Sequence, residues 1–338
     1  MLSRSKEFFD EMATDALGLF GIAGTHRAEL LQLSENLTYL ISRRGGESDY
    51  VMRICRPGYH TAEELESELV WLGEIAENTS LITAQPFRGL DGRHIQRVAV
   101  AGESYSLTLF EFLPGAPPGN SDVRTTEREF EMLGAVTAQM HRQSRARDKS
   151  IPLPRFTWDF DTIIGRHPIW GGWQAAEGMS DDDFRLLTLA AAIIRGKLED
   201  YGKSPYRFGL IHADLRLANL LVEGEKIKVI DFDDCGYSWY MYDQASAVSF
   251  IEHLPERPRY VAAWERGYRS ELPLLPEDAA MSDTFIMMRR LQLLAWLTSH
   301  SESTPARALS VGYLAGTVEL ARNYTASVRR VFGVRPVA

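Results

Sequence analysis

The sequence predicts a bilobal α+β protein, with a β-rich N-terminal lobe holding one main helix and a larger, mostly helical C-terminal lobe. Three observations predict it. From Glu29 to Phe112 short β-rich runs alternate with turn residues, and only one stretch inside them has helical periodicity. The run Leu107–Leu113 then enters Pro114-Gly115-Ala116-Pro117-Pro118-Gly119, the sharpest break in the chain. Beyond that break helical periodicity takes over. The expected organisation is an N-terminal helical segment over residues 1–24, an N-terminal lobe over 25–112 and a C-terminal lobe over 113–338.

Composition narrows the class. With 45% hydrophobic and 25% charged residues the chain is ordinary for a soluble globular protein, and its 338 residues favour two domains. A net charge of −9 argues against a nucleic-acid-binding protein and is compatible with a cationic substrate. The two cysteines, Cys55 and Cys235, lie far apart and form no metal-type cluster. The first twenty residues carry acids among their apolar positions and lack the continuous core of a secretory signal. No run approaches transmembrane length, so no membrane partner is expected, and the expected compartment is the cytoplasm.

In the N-terminal lobe, Leu37–Ser42 and Asp49–Ile54 read as strands joined by a turn at Gly45-Gly46. Thr61-Ala62-Glu63-Glu64 is a capping box, in which the Thr side chain and the Glu side chain satisfy each other's backbone N–H groups. Leu65, Leu69, Leu72, Ile75 and Ala76 then mark the buried stripe of the helix it opens, and Glu68 points into that stripe. A carboxylate facing an apolar interior needs a cation. Arg53, embedded in the apolar run Tyr50–Ile54, offers one, and no lysine occurs between Lys6 and Lys149. The pair reads either as a phosphate-binding cation with its anchor or as a plain buried ion pair. Residues 79–108 give further strands around a turn at Leu90-Asp91-Gly92-Arg93.

In the C-terminal lobe, Arg124–Arg145 is a helix with Phe130, Leu133, Ala135, Val136 and Met140 facing the core, and His141 near its end is structural. Phe156–Gly178, with Trp158, Trp170 and Trp173, suits a substrate lid or a satellite core equally well. Ser180 opens a helix whose first turn is Asp181-Asp182-Asp183, acids favoured at a helix N-terminus in any case. Residues 258–326 read as two or three amphipathic helices.

Between these helices lies Gly209–Gly236. Its apolar lead-in ends in His212-Ala213-Asp214, Asn219 follows, and the runs Leu220–Val222 and Ile227–Ile230 form a hairpin that delivers Asp231-Phe232-Asp233-Asp234. Acceptor-only carboxylates and an amide at strand ends suit magnesium and a reacting hydroxyl. A lone H-x-D would be no more than an Asp capping a turn.

The spacing H-x-D-x-x-x-x-N, followed by an Asp after a hairpin, resembles the catalytic loop of protein kinases. With Ala213 for the usual Arg and DFD for D-F-G, it is similar to the aminoglycoside phosphotransferase and choline kinase superfamily, over roughly residues 29–300. That resemblance implies a protein-kinase-like fold, ATP and Mg2+ as cofactors, and a phosphotransferase with an alcohol group as acceptor. It implies Asp214 as the catalytic residue facing the substrate hydroxyl and Asn219 and Asp231 as metal ligands. Arg53, fixed by Glu68, would replace the usual strand lysine on the ATP phosphates. Ser34, in the turn Ser34-Glu35-Asn36, would fall in a phosphate-covering loop, although there is no G-x-G-x-x-G. Backbone groups from Glu111 to Leu113 would meet the adenine, a stretch that also reads as an ordinary linker. Asp243 would steady the catalytic loop, His212 would pack within it, and of Asp233 and Asp234 one would face substrate and the other cap the next turn. The implied acceptor is a hydroxyl of a small metabolite or an aminoglycoside-like molecule. Arg56-Pro57, Thr61–Glu64, Glu68 and MRRLQLLAW also resemble a bacterial stress-response Ser/Thr kinase. The arginine at position 53 raises a third alternative, a pseudokinase-like nucleotide-binding regulatory module. The oligomeric state is left open.

Overall fold

Ser5 starts the first helix, α1 (Lys6–Ala16), by accepting a hydrogen bond from the Phe8 N–H. Phe9, Met12, Ala13 and Ala16 form its buried face, which Leu17 and Phe20 extend through a short 3-10 turn. These side chains pack on Tyr39, Ile41, Met52, Ile54, Tyr105, Leu107 and Leu109. The described part of the expected N-terminal segment, from Phe9 to Phe20, therefore packs into the first unit's core. The computed structural model describes residues 4–33, 36–100, 102–118, 127–148, 150–301 and 304–332.

The strands that meet α1 are β1 (His26–Leu33), β2 (Leu37–Arg43) and β3 (Ser48–Ile54). After them come α2 (Ala62–Asn78), β4 (Ile82–Thr83), β5 (Pro86–Phe87), β6 (Ile95–Val100) and β7 (Glu103–Glu111). The main sheet runs β1-β2-β3-β7-β5, with β6 also on β7, and its pairs are antiparallel. Arg53 lies opposite Thr38 on one side and Thr108 on the other, so β3 carries it mid-sheet. Both halves of the capping box at Thr61 and Glu64 are formed, which fixes where α2 begins.

The helical part opens with α3 (Glu127–Ala146), α4 (Phe160–Ile163) and α5 (Asp181–Tyr201), followed by β8 (Phe208–Ile211). Next come β9 (Leu220–Glu223) and β10 (Lys226–Val229), whose second strand pairs parallel with β4, Lys228 opposite Ile82. The chain then returns through β11 (Gly236–Trp239), antiparallel to β8, to α6 (Met241–Ala247) and α7 (Arg257–Glu271). It ends with α8 (Pro276–Ala279), α9 (Ser282–Ser299), α10 (Thr304–Ser310) and α11 (Tyr313–Phe332). Among the described residues, the region read as two or three helices thus holds five. Pro276 opens a separate short helix, and Gly312, at φ +72°, divides α10 from α11.

Two units result: Met1–Ala116 with Lys149–Arg155 and Leu221–Ile230, and Pro117–Asp148 with Phe156–Leu220 and Asp231–Ala338. The first change of unit falls within the Pro/Gly cluster. The expectation of one continuous lobe over 113–338 needs correction, because residues 149–155 and the β9–β10 hairpin belong with the first unit. Arg155 donates to the Glu64 carbonyl at 2.9 Å, and Lys228 donates to the Pro114 carbonyl and to Glu223.

In the second unit α3 and α7 cross at glycines. A Cβ on Gly134 would lie 2.0 Å from the Trp264 carbonyl oxygen, and one on Gly267 would lie 1.8 Å from that of Glu131. Backbone cannot yield as a side chain can, so the helices would have to separate. Gly267→Ala is expected to cost about 1–3 kcal/mol, read as a lower midpoint in urea unfolding.

Candidate functional site

The loop after β8 is held by a buried carboxylate. Asp243, on α6 and 0% exposed, accepts from the Ala213 N–H at 2.8 Å and the His212 N–H at 3.2 Å. Its Oδ2 also meets His141 Nε2 at 3.1 Å, and the Tyr268 hydroxyl lies 3.0 Å from His141 Nδ1. Burial pushes the His141 imidazole below its ordinary pKa although Asp243 pulls the other way. A neutral ring satisfies both contacts if Nε2–H donates to Asp243 and Nδ1 accepts from the tyrosine. His141 is structural and Asp243 anchors the loop.

That anchoring bears on strain. Ala213 sits at φ +68°, a left-handed conformation that costs an L-residue with a Cβ, and the Ser246 hydroxyl donates to its carbonyl at 2.8 Å. Among the described residues the other non-glycine positive φ values are at Asp231 (+65°) and Phe250 (+69°). Ala213 precedes Asp214, Asp231 is itself a candidate, and the Phe250 ring lies 5.7 Å from the Arg216 guanidinium. Strain of this kind collects where the surrounding structure over-determines a site.

Asp214 stands at the centre, its side chain 16% exposed. Oδ1 accepts from Arg289 Nη2 at 2.5 Å, and Oδ2 accepts from Arg216 Nε at 3.3 Å and Asn219 Nδ2 at 3.1 Å. Burial acts to raise the carboxyl's pKa, but Arg216, Arg289 and His212 outweigh it and hold the group below the usual aspartate range. Asp214 is a carboxylate at neutral pH.

Asn219 closes a 3-10 turn ahead of β9, and its Nδ2 donates to the Asp214 carbonyl at 2.9 Å as well as to its carboxylate. Both donations orient the amide and leave Oδ1 as an acceptor suited to a cation. Asp231 follows β10 with an exposed side chain. Among the described residues no group of three or more His, Cys, Asp or Glu makes a metal site of its own. One carboxylate and one amide oxygen suit Mg2+, which keeps several waters and takes further ligands from substrate phosphates. Phe232 packs on His212 with ring centroids 4.6 Å apart, and Asp233 is 5% exposed. The Asp234 carbonyl accepts from Trp158 Nε1 at 2.7 Å.

Trp158, Trp170 and Trp173 are 1%, 8% and 2% exposed, so of lid and satellite core the structure gives core. The Trp170 ring centroid lies 5.2 Å from the Arg289 guanidinium carbon.

In the first unit Arg53 and Glu68 form a fork, Nη1 to Oε1 and Nη2 to Oε2, both at 2.8 Å. Their side chains are 10% and 1% exposed, and the guanidinium carbon lies 5.3 Å from the Phe110 ring centroid. Glu111 ends β7 with its N–H donating to the Gln85 carbonyl at 2.9 Å, and Leu113 is 8% exposed just beyond. Ser34 and Glu35 lie outside the described residues.

Arg289 and Arg216 are the residues the sequence reading missed. Arg289 carried a signal. It sits in Phe285–Leu294 with no acid three or four positions away on either side, so a buried arginine there needs a distant anion. The same logic had pointed from Glu68 to Arg53.

A strained acidic loop on a helical unit and an antiparallel sheet unit with an internal Arg–Glu pair, each taken by itself, are the parts of a kinase-like phosphotransferase. Residues 28–280 match the phosphotransferase enzyme family model, APH, and the chain belongs to that family. It is therefore an enzyme, a phosphotransferase with an alcohol group as acceptor. It is similar to the solved microcompartment-associated aminopropanol kinase, with 40% identity, a TM-score of 0.86, and 94% of this chain and 98% of that one covered. Amicoumacin kinase of Bacillus subtilis is 23% identical over 299 residues, 85% of this chain and 84% of the relative. The structure of an amicoumacin kinase in complex with AMP-PNP, Ca2+ and Ami shares the fold, with 20% identity, a TM-score of 0.73 and 94% of each chain covered. Among the described residues no helix is long and apolar enough to cross a membrane.

Proposed function

We propose that this enzyme transfers the γ-phosphoryl group of ATP, with Mg2+, to the hydroxyl of a small amine-bearing alcohol. The observation that carries the proposal is the ionised Asp214 carboxylate, partly exposed and fixed on a strained loop whose backbone Asp243 holds. The 40% identity to an aminopropanol kinase supports the amino-alcohol class, and the net charge of −9 suits a cationic acceptor.

Asp214 would orient the substrate hydroxyl and accept its proton as the oxygen attacks phosphorus. Asn219 Oδ1 and Asp231 would hold Mg2+, which when bound neutralises charge developing on the phosphate oxygens. Arg53, fixed by Glu68, would hold the α- and β-phosphates. Ser34 would cover them, and backbone groups from Glu111 to Leu113 would bind the adenine. Little covalent chemistry is asked of the protein, so positioning and charge neutralisation supply the catalysis. Residues 25–112 would form the nucleotide lobe and 113–338, apart from the exchanged segments, the acceptor lobe. No nucleic-acid or membrane partner is assigned, and the cytoplasm is the proposed location.

A screen with γ-labelled ATP tests the acceptor class, offering amino alcohols, aminoglycosides, sugars and a generic protein substrate. Label is expected on aminopropanol or a close amino alcohol. Label on the protein substrate alone would replace the proposal with a Ser/Thr kinase. Tight nucleotide binding with transfer to nothing would favour a regulatory module.

A further inference from the structure

We propose that Arg289 is a positioning residue for phosphoryl transfer, which from α9 locks Oδ1 of Asp214 and leaves Oδ2 to meet the acceptor hydroxyl. The inference rests on the reading of Asp214 as the carboxylate that faces that hydroxyl.

Arg289 is 2% exposed, and its donors are committed to fixed partners. Nε donates to Ser249 Oγ at 3.2 Å, while Nη1 reaches the Tyr242 hydroxyl at 3.1 Å, Gln292 Oε1 at 3.3 Å and the Ala213 carbonyl at 3.4 Å. Nη2 is left for Asp214 Oδ1. Tyr242 in turn donates to Gln292, which fixes the acceptors around Nη1. One guanidinium thus grips the carbonyl of the strained residue and the carboxylate of the next, setting the loop's backbone and its side chain together. The planar fork makes this a rigid connection, which a lysine ammonium on a flexible stem cannot reproduce.

The two oxygens of Asp214 are treated differently. Oδ2 accepts from Asn219 Nδ2 at 3.1 Å, which a carboxylate oxygen can keep while taking a second donor, and from Arg216 Nε at 3.3 Å, whose side chain is 31% exposed. A hydroxyl can take the place of such a half-exposed donor at modest cost, whereas the buried Arg289 is not displaceable. Arg290 provides a contrast from the same helix. Also 2% exposed, it donates to Glu252, Thr317 and the Tyr313 carbonyl, and among the described residues none of these bonds reaches the loop.

The test compares Arg289→Lys, Tyr242→Phe, Arg290→Lys and Asp214→Asn, measuring kcat, the KM of ATP and of aminopropanol, and thermal melting. Arg289→Lys is expected to lower kcat about 10²-fold with both KM values little changed, because a carboxylate misplaced by about 1 Å costs that much. Arg290→Lys is expected to lower the melting temperature and leave kcat of the folded enzyme unchanged. Tyr242→Phe removes one Nη1 anchor at nearly constant volume and is expected to lower kcat by a smaller factor. It carries the test if Arg289→Lys gives no cooperative melt. In Arg289→Ala, added methylguanidine is expected to restore part of kcat and methylamine to restore none.

Wild-type kcat in folded Arg289→Lys, or in Tyr242→Phe if the former does not fold, would overturn the inference. So would a raised KM for ATP at unchanged kcat, which would make Arg289 a nucleotide-binding residue. Wild-type kcat in Asp214→Asn would instead bring down the reading of Asp214 itself.

Discussion

Asp214→Asn is expected to lower kcat for phosphoryl transfer by about 10²–10⁴-fold, the usual worth of a positioned proton acceptor. The amide keeps the shape of the side chain but has no charge to draw the hydroxyl proton. Its NH2 must also face donors, because Arg289, Arg216 and Asn219 all direct N–H groups at the present carboxylate. The loop itself is expected to stay, since Asp243 and Ser246 hold its backbone without using the Asp214 side chain. A coupled assay of ADP release, read beside a melting curve, checks both halves of this expectation.

Glu68→Ala is expected to destabilise the first unit by about 3–5 kcal/mol, because it takes the forked carboxylate away from a buried guanidinium. Arg53 is 8% exposed and mid-sheet on β3, where both of its Nη donors are committed to the Glu68 carboxylate at 2.8 Å. Replacing both partners by apolar residues is expected to recover much of the loss, since the pair's desolvation is then no longer required. Urea unfolding of the single and double variants measures this. If Arg53 also holds ATP phosphates, the KM for ATP rises in Glu68→Ala while the second unit, with Asp214 and Arg289, is unaltered.

Some of this was legible because the chemistry is local. Glu68 announced a buried cation through helical period alone, and Arg53, embedded in the apolar run Tyr50–Ile54, answered it. Asp214, Asn219 and Asp231 were singled out by their spacing around a hairpin that the turn residues betray. What the sequence could not give was long-range. The apolar face of α1 shows that it packs, but not that it packs on β2, β3 and β7. The β9–β10 hairpin is plain in the text, yet its parallel pairing with the two-residue β4 leaves no local trace. The tryptophans of 156–178 read the same whether they line a lid or fill a core, because aromatic content does not specify burial. Arg289 was within reach, but its anion lies 75 positions away in sequence, and periodicity within one helix cannot name a partner on another element.

The transfer itself is tested most directly by phosphorus NMR of the enzyme with ATP, Mg2+ and aminopropanol. A phosphomonoester signal growing in step with ADP is the expected result, absent when Asp214→Asn replaces the wild type. ADP accompanied only by inorganic phosphate, or an unchanged ATP spectrum with amino alcohols while a protein substrate is phosphorylated, would contradict it.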